Sequence, residues 1–201
     1  MTKFFQIASL INNKLMGFLF ATLSMISCRA KDDRIISLNE IGWSFGLPSG
    51  ISFKDSAFNE NGQIKKSSWE TSFNPNKPRV VLFSIEHGKN NFLNTIIYED
   101  SSDNSNWQQN NLDESRFYFS QLMKLPNHKI VDTSLLVEKI DGVSFQREYF
   151  KAYTGIKDDT SYSYKFSRRY GVYDININIR YTDVEIGNKY LDILRKSKFE
   201  K

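Results

Sequence analysis

The sequence predicts an α+β domain in which a central antiparallel sheet is flanked by helices. Three observations carry that prediction. Tyr173, Ile175, Ile177, Ile179 and Tyr181 alternate with Asp174, Asn176, Asn178 and Arg180, the period-two signature of a strand with one apolar and one polar face. Two runs rich in β-branched and aromatic side chains, Val80–Ile85 and Phe92–Tyr98, flank His87-Gly-Lys-Asn-Asn91, a turn-forming segment suited to a hairpin. Near the C-terminus, Ile186, Tyr190, Ile193 and Leu194 recur at helical spacing.

Taken in order, the chain opens with a segment unlike the rest. Met1 to Lys14 carries two lysines and no acid, and Leu15 to Ser27 is an uncharged, mostly apolar run of 13 residues. Cys28 follows, and the chain then turns polar with Arg29-Ala-Lys-Asp-Asp-Arg34. A basic start, a short apolar stretch and small residues at its end are the signature of an export signal, so residues 1–27 are expected to be one. The run is shorter than the roughly 20 apolar residues that a spanning helix needs.

Met25-Ile26-Ser27-Cys28 resembles the lipobox of bacterial lipoproteins, where a small residue precedes an invariant cysteine. The resemblance implies cleavage between Ser27 and Cys28 and a diacylglyceryl group on the Cys28 sulfur, with the lipid bilayer as the first partner. Each buried CH₂ contributes about 0.8 kcal/mol, so two or three acyl chains hold a small domain firmly. The same residues also fit an ordinary cleaved signal or an uncleaved anchor with Cys28 an unmodified thiol. Cys28 is the single cysteine, so no intramolecular disulfide is available and the domain must rely on its core. Lys31-Asp32-Asp33 is similar to the short acidic signal that sends some Bacteroidota lipoproteins to the outer face of the outer membrane. The expected location is therefore the bacterial cell envelope, lipid-anchored at the outer membrane, on its periplasmic or surface face.

Residues 28–38, charged and aperiodic, read as a tether, and 39–201 as a single α+β domain. Apolar residues make up 40% and charged residues 25%, and 16 Phe, 10 Tyr and 3 Trp favour strands and large buried side chains. Trp43–Leu47 is a short strand ended by Pro48. Val143–Lys151 and Tyr162–Arg169 alternate as strands, the second placing Tyr162, Tyr164 and Phe166 on a core face opposite Ser163 and Lys165. The polar side of the Val172–Tyr181 strand implies a sheet not buried on both faces there. Leu112, Phe119, Leu122 and Met123 define the stripe of a helix that must stop before Pro126. Thr182-Asp-Val-Glu185 fits a capping box for a last helix, whose Arg195 and Lys196 suit the negative end of its dipole. Gly187 weakens that helix by about 1 kcal/mol relative to Ala.

Ser44-Phe-Gly-Leu-Pro48, the middle helix with Tyr118, the hairpin Ile140-Asp-Gly-Val-Ser-Phe145 and the closing Ser197-Lys-Phe199 together resemble the PsbP/Mog1 superfamily over roughly residues 40–200. The resemblance implies an α/β/α sandwich with a central antiparallel sheet. Members are largely non-catalytic and bind partners such as a photosystem or a small GTPase, and several bacterial ones are lipoproteins. No site residues carry over from it.

Candidate chemistry is sparse. Gly42-Trp-Ser-Phe-Gly46 matches G-x-S-x-G, but Leu47-Pro48-Ser49-Gly50 cannot begin the helix that must follow a nucleophile elbow, so Ser44 reads as part of an edge strand. His87 and His128 lie beside Gly88 and Asn127, which favours surface loops over metal ligation. Asp100 with Asp103, and Asp158 with Asp159, lack the spacing of a calcium loop and read as solvated turns. Tyr162 to Tyr170 interleaves aromatics and bases, as single-strand binders do. Removing Lys3 and Lys14 with the signal leaves 25 basic against 23 acidic side chains, mixed along the chain, which argues against nucleic acid. No catalytic, cofactor-binding or metal-binding residue is assigned, and Cys28 is the one candidate for modification.

The sequence thus leads to a membrane-anchored envelope lipoprotein acting as a non-catalytic binding or accessory module, with a protein or small ligand as its partner and no cofactor. The alternatives are an immunity-type lipoprotein directed at a toxin and a small envelope hydrolase using Ser44.

Overall fold

Strand-forming sequence dominates the body of the chain, and the computed structural model shows where each run pairs. It describes residues 33–70, 78–100, 106–124, 129–153 and 160–200. The chain divides into Met1–Asp33 and Arg34–Lys201, and the first unit, Asp33 apart, lies outside the described residues. The export signal, Ser27, Cys28 and Lys31-Asp32 fall there.

Among the described residues ten strands and two α-helices follow in the order β1 (Arg34–Leu38), β2 (Trp43–Leu47), β3 (Asp55–Ser56), β4 (Arg79–Glu86), β5 (Phe92–Glu99), α1 (Trp107–Leu122), β6 (Lys129–Ile140), β7 (Val143–Tyr153), β8 (Thr160–Tyr170), β9 (Tyr173–Tyr181), α2 (Val184–Arg195) and β10 (Lys198–Phe199). Seven strands form one sheet in the order β3-β4-β5-β9-β8-β7-β6, with every pair antiparallel. β9 is inserted between the β4–β5 hairpin and the β6–β7–β8 meander, so it receives hydrogen bonds on both sides. A second, three-stranded sheet has the order β1-β2-β10. The class is α+β as expected, but more β-rich than the sandwich, because one flank carries this small sheet beside a helix. Residues 34–38, expected to be tether, form β1, since Arg34 to Leu38 pair along the whole of β2.

Sequence sets the turns locally. Asp141 and Gly142 have φ of 51° and 77°, the left-handed pair of a tight hairpin between β6 and β7. The Asp141 carboxylate also accepts from Lys198 Nζ at 3.0 Å and from the Phe199 amide at 3.1 Å, which ties that hairpin to β10.

One face of the large sheet builds the core. Ile175, Ile177, Ile179, Leu93, Ile97 and Phe166 are buried there against Tyr190 and Leu194 of α2. A bulge between Val81 and Phe83 turns both Leu82 and Phe83 inward, each 0% exposed. Phe83 then meets the rings of Trp43, Phe45 and Phe53 at 5.5, 5.3 and 5.2 Å. Such tilted ring contacts contribute about 0.5–1.5 kcal/mol each beyond the area they bury. Arg168 also lies on this face, its guanidinium over the rings of Phe145, Tyr170 and Phe199 and donating to the Glu200 carbonyl at 3.2 Å. Burial lowers its pKa from the ordinary arginine value.

The opposite face lies under α1. Asn111, Ser115 and Phe119, spaced four apart, meet Gln146, Glu148 and Phe150, spaced two apart on β7. Four helical residues rise about 6 Å and two strand residues about 6.7 Å, so the two series stay in step. The contact stripe is therefore mostly polar and shifted from the expected one. Leu112 is half-buried and Met123 is 70% exposed. The polar face of β9, expected to meet water, is partly roofed, and Asp174 is 5% exposed. Among the described residues no helix is long and apolar enough to cross a membrane.

Candidate functional site

The register of four strands sorts the side chains beneath α1 into cross-strand rows. Phe92 of β5, Arg180 of β9, Ser163 of β8 and Phe150 of β7 are successive partners and form the first row. Asn94, Asn178, Lys165 and Glu148 form the second, and Ile96, Asn176, Ser167 and Gln146 the third. The period-two pleat that buries Ile177 and Phe166 on one side delivers these polar residues to the other.

The second row is closed by its own hydrogen bonds. Asn178 Nδ2 donates to Asn94 Oδ1 at 3.0 Å, and Lys165 Nζ to Glu148 Oε1 at 2.9 Å. The Ser115 hydroxyl of α1 also bonds to Glu148, whose residue is 4% exposed. The Glu148 carboxylate is thus enclosed between an ammonium and a hydroxyl partner. In the third row Ser167 Oγ donates to Asn176 Oδ1 and Asn111 Nδ2 to Gln146 Oε1, each at 2.7 Å. Gln146 Nε2 has no partner there.

The first row stays open. Ser163 is 9% exposed and its hydroxyl has no hydrogen-bond partner. Arg180 donates through Nε to Ser161 Oγ at 3.2 Å, and among the described residues it has no acidic partner. Both side chains line a cleft of 530 Å³ between α1 and the sheet, with Phe92, Ile96, Phe150 and Tyr118 as its apolar walls and Glu114 and Ser115 on the α1 side. A second hollow of 370 Å³, lined in part by Trp107, Asn110 and Asp174, shares Ile96, Glu114, Lys165 and Asn178 with the first. An amphipathic hollow of this size, with a few convergent polar groups, is what small-molecule sites look like.

The residues singled out from sequence lie elsewhere. Ser44 sits in the middle of β2, paired with Ser37 of β1 and Lys198 of β10, so it occupies a laddered strand and not a strand–helix elbow. His87 is exposed in the β4–β5 connection, and its neighbour Glu86 pairs with Lys54 at 3.0 Å. Asp100 is half-buried after β5, while His128, Asp103, Asp158 and Asp159 lie outside the described residues. Among the described residues no three His, Cys, Asp or Glu side chains gather as a metal group. The Tyr162–Tyr170 alternation holds: Tyr162 stacks on Tyr181 at 5.0 Å on the core side, and Ser163 and Lys165 face α1. Sequence reasoning named Asn178, Arg180, Ser163 and Lys165 only as a polar face. The available signal was a polar strand face combined with a helix too poor in apolar residues to need an apolar seat.

No family model matches this chain, and no curated protein matches it. Among solved structures it is similar to cyanobacterial PsbP (CyanoP) from Synechocystis sp. PCC 6803, at 11% identity and a TM-score of 0.49, over 87% of this chain and 96% of that one. It is also similar to LpqN of Mycobacterium tuberculosis, a protein involved in cell envelope biogenesis, at 12% identity and a TM-score of 0.38, over 82% of this chain and 95% of that one.

Proposed function

We propose that this chain is an envelope lipoprotein, anchored in the outer membrane through acylated Cys28, whose globular body is a non-catalytic binding or accessory module. The observation that carries the binding role is the amphipathic 530 Å³ cleft under α1, which offers a guanidinium and an orphaned hydroxyl to a visitor. Leaving a buried hydroxyl without a partner costs about 1–3 kcal/mol, a cost that a bound ligand can relieve. The anchor rests on Met25-Ile26-Ser27-Cys28 and the apolar run before it.

One preparation tests both halves. The full chain, expressed in a bacterium with a photocross-linking side chain in place of Tyr118, is expected to yield an acylated product beginning at Cys28 by intact mass. The same product is expected to carry a saturable adduct with an envelope component. A product cut elsewhere and free of acyl mass overturns the anchor; adducts that do not saturate overturn the binding module.

A further inference from the structure

The open first row has a defined chemistry. Arg180 presents a planar fork of donors, Ser163 a single hydroxyl beside it, and Phe92 and Phe150 bracket the pair at the two ends of the row. Lys165 is committed to Glu148 at 2.9 Å, which leaves Arg180 as the cation of the cleft lining without an acidic partner among the described residues. Glu114 and Glu148 stand on the same walls and would repel a doubly charged anion. One cation, one hydroxyl donor and apolar flanks suit a single negative charge on a planar group, and guanidinium geometry matches a carboxylate through two parallel hydrogen bonds.

We propose that the Phe92–Arg180–Ser163–Phe150 row recognises an organic monocarboxylate with an apolar body. The carboxylate takes the Arg180 guanidinium and the Ser163 hydroxyl, and the body lies against the phenyl rings beneath Tyr118. This assignment rests on the reading of the cleft as a binding site and names its ligand class.

The test is a calorimetric titration of the full chain, held in discs of zwitterionic lipid, with octanoate and with its uncharged amide, empty discs serving as reference. Octanoate is expected to bind at one saturable site and octanamide about tenfold more weakly or worse, the loss of charge-assisted hydrogen bonds. Arg180→Gln is expected to weaken octanoate by about tenfold while leaving octanamide unchanged, and Arg180→Lys to restore part of it, since an ammonium lacks the fork. Should Arg180→Gln disturb the fold, Ser163→Ala serves instead. It removes an orphaned hydroxyl, so its unfolding midpoint is expected to stay at or rise above the wild-type value while octanoate binding falls several-fold. Equal binding of octanoate and octanamide overturns the carboxylate assignment and leaves the binding module standing. Saturable binding of neither overturns the assignment, and cross-linking at Tyr118 then shows separately whether the module itself fails.

Discussion

At the scale of single residues, Gly187 shows why a helix keeps its weakest former. A Cβ at that position would collide with the Cγ, Cδ1 and Cδ2 atoms of the Tyr181 ring, which lies directly on the helix backbone. Helix propensity favours Ala by about 1 kcal/mol, but overpacking a filled core costs about 1–3 kcal/mol. Gly187→Ala is therefore expected to lower stability, seen as a lower denaturant midpoint with an unchanged slope. Tyr181 itself is 4% exposed, and burial raises its phenol pKa well above the ordinary value, with Tyr164 and Tyr149 adding to the effect. The folded form thus holds its proton longer than the unfolded form. The contribution is fully present below about pH 10 and is lost as pH rises through the folded value. Denaturant midpoints are expected to fall above about pH 10, and Tyr181→Phe to flatten that fall.

At the scale of elements, the start of α2 departs from the expected capping box. Asp183 is the cap: its Oδ1 accepts from the Glu185 amide at 2.9 Å and the Ile186 amide at 3.2 Å. The cause lies far away in sequence. Asn91, 7% exposed at the end of the β4–β5 connection, accepts through Oδ1 from the amides of Thr182 and Asp183 at 2.9 and 3.0 Å. Thr182 is thereby held in the bend between β9 and α2, and the helix begins one residue later. Glu185, freed from the box, pairs with Lys189 at 2.8 Å. Asp183→Ala is expected to cost about 1 kcal/mol in chemical unfolding, and Thr182→Ala less than half of that. Equal costs would return the cap to Thr182.

At the scale of the whole molecule, the two faces of the large sheet are held by different forces. α2 and the small sheet cover an apolar face built of Ile175, Ile177, Phe166 and Phe83. α1 rests on polar ties, Asn111 to Gln146 and Ser115 to Glu148, with Phe119 against Phe150 as its aromatic contact. Exchanging water for protein in a hydrogen bond yields only about 1 kcal/mol, less than the burial of a large apolar side chain, about 1.5–3 kcal/mol. Amides of α1 are expected to exchange hydrogen through openings of lower free energy than those of α2, measured by native-state exchange under weak denaturant. Protection of α1 equal to that of α2 would sink this ordering. A roof held in this way suits the binding role proposed for the cleft.

The strands of the core and the closing helix were legible in the sequence because their periodicities are local: Tyr173 to Tyr181 carries its alternation in nine residues, and Ile186 to Leu194 its stripe in about two and a half turns. β6 was not, since Lys129–Ile140 is an edge strand exposed along much of its length and so keeps little alternation. β1, β3 and β10 have two to five residues and owe their existence to partners elsewhere in the chain. The candidate site was legible only as a polar face. By itself the sequence determined which residues face inward and which outward on β8 and β9, because a pleat fixes that within the strand. Which outward residues stand in one row, which of them satisfy one another and which remain open was decided by register between β5, β9, β8 and β7 and by the seat of α1. Those are pairings between segments far apart in the chain, such as Asn94 and Asn178, 84 residues apart, and no local pattern encodes them.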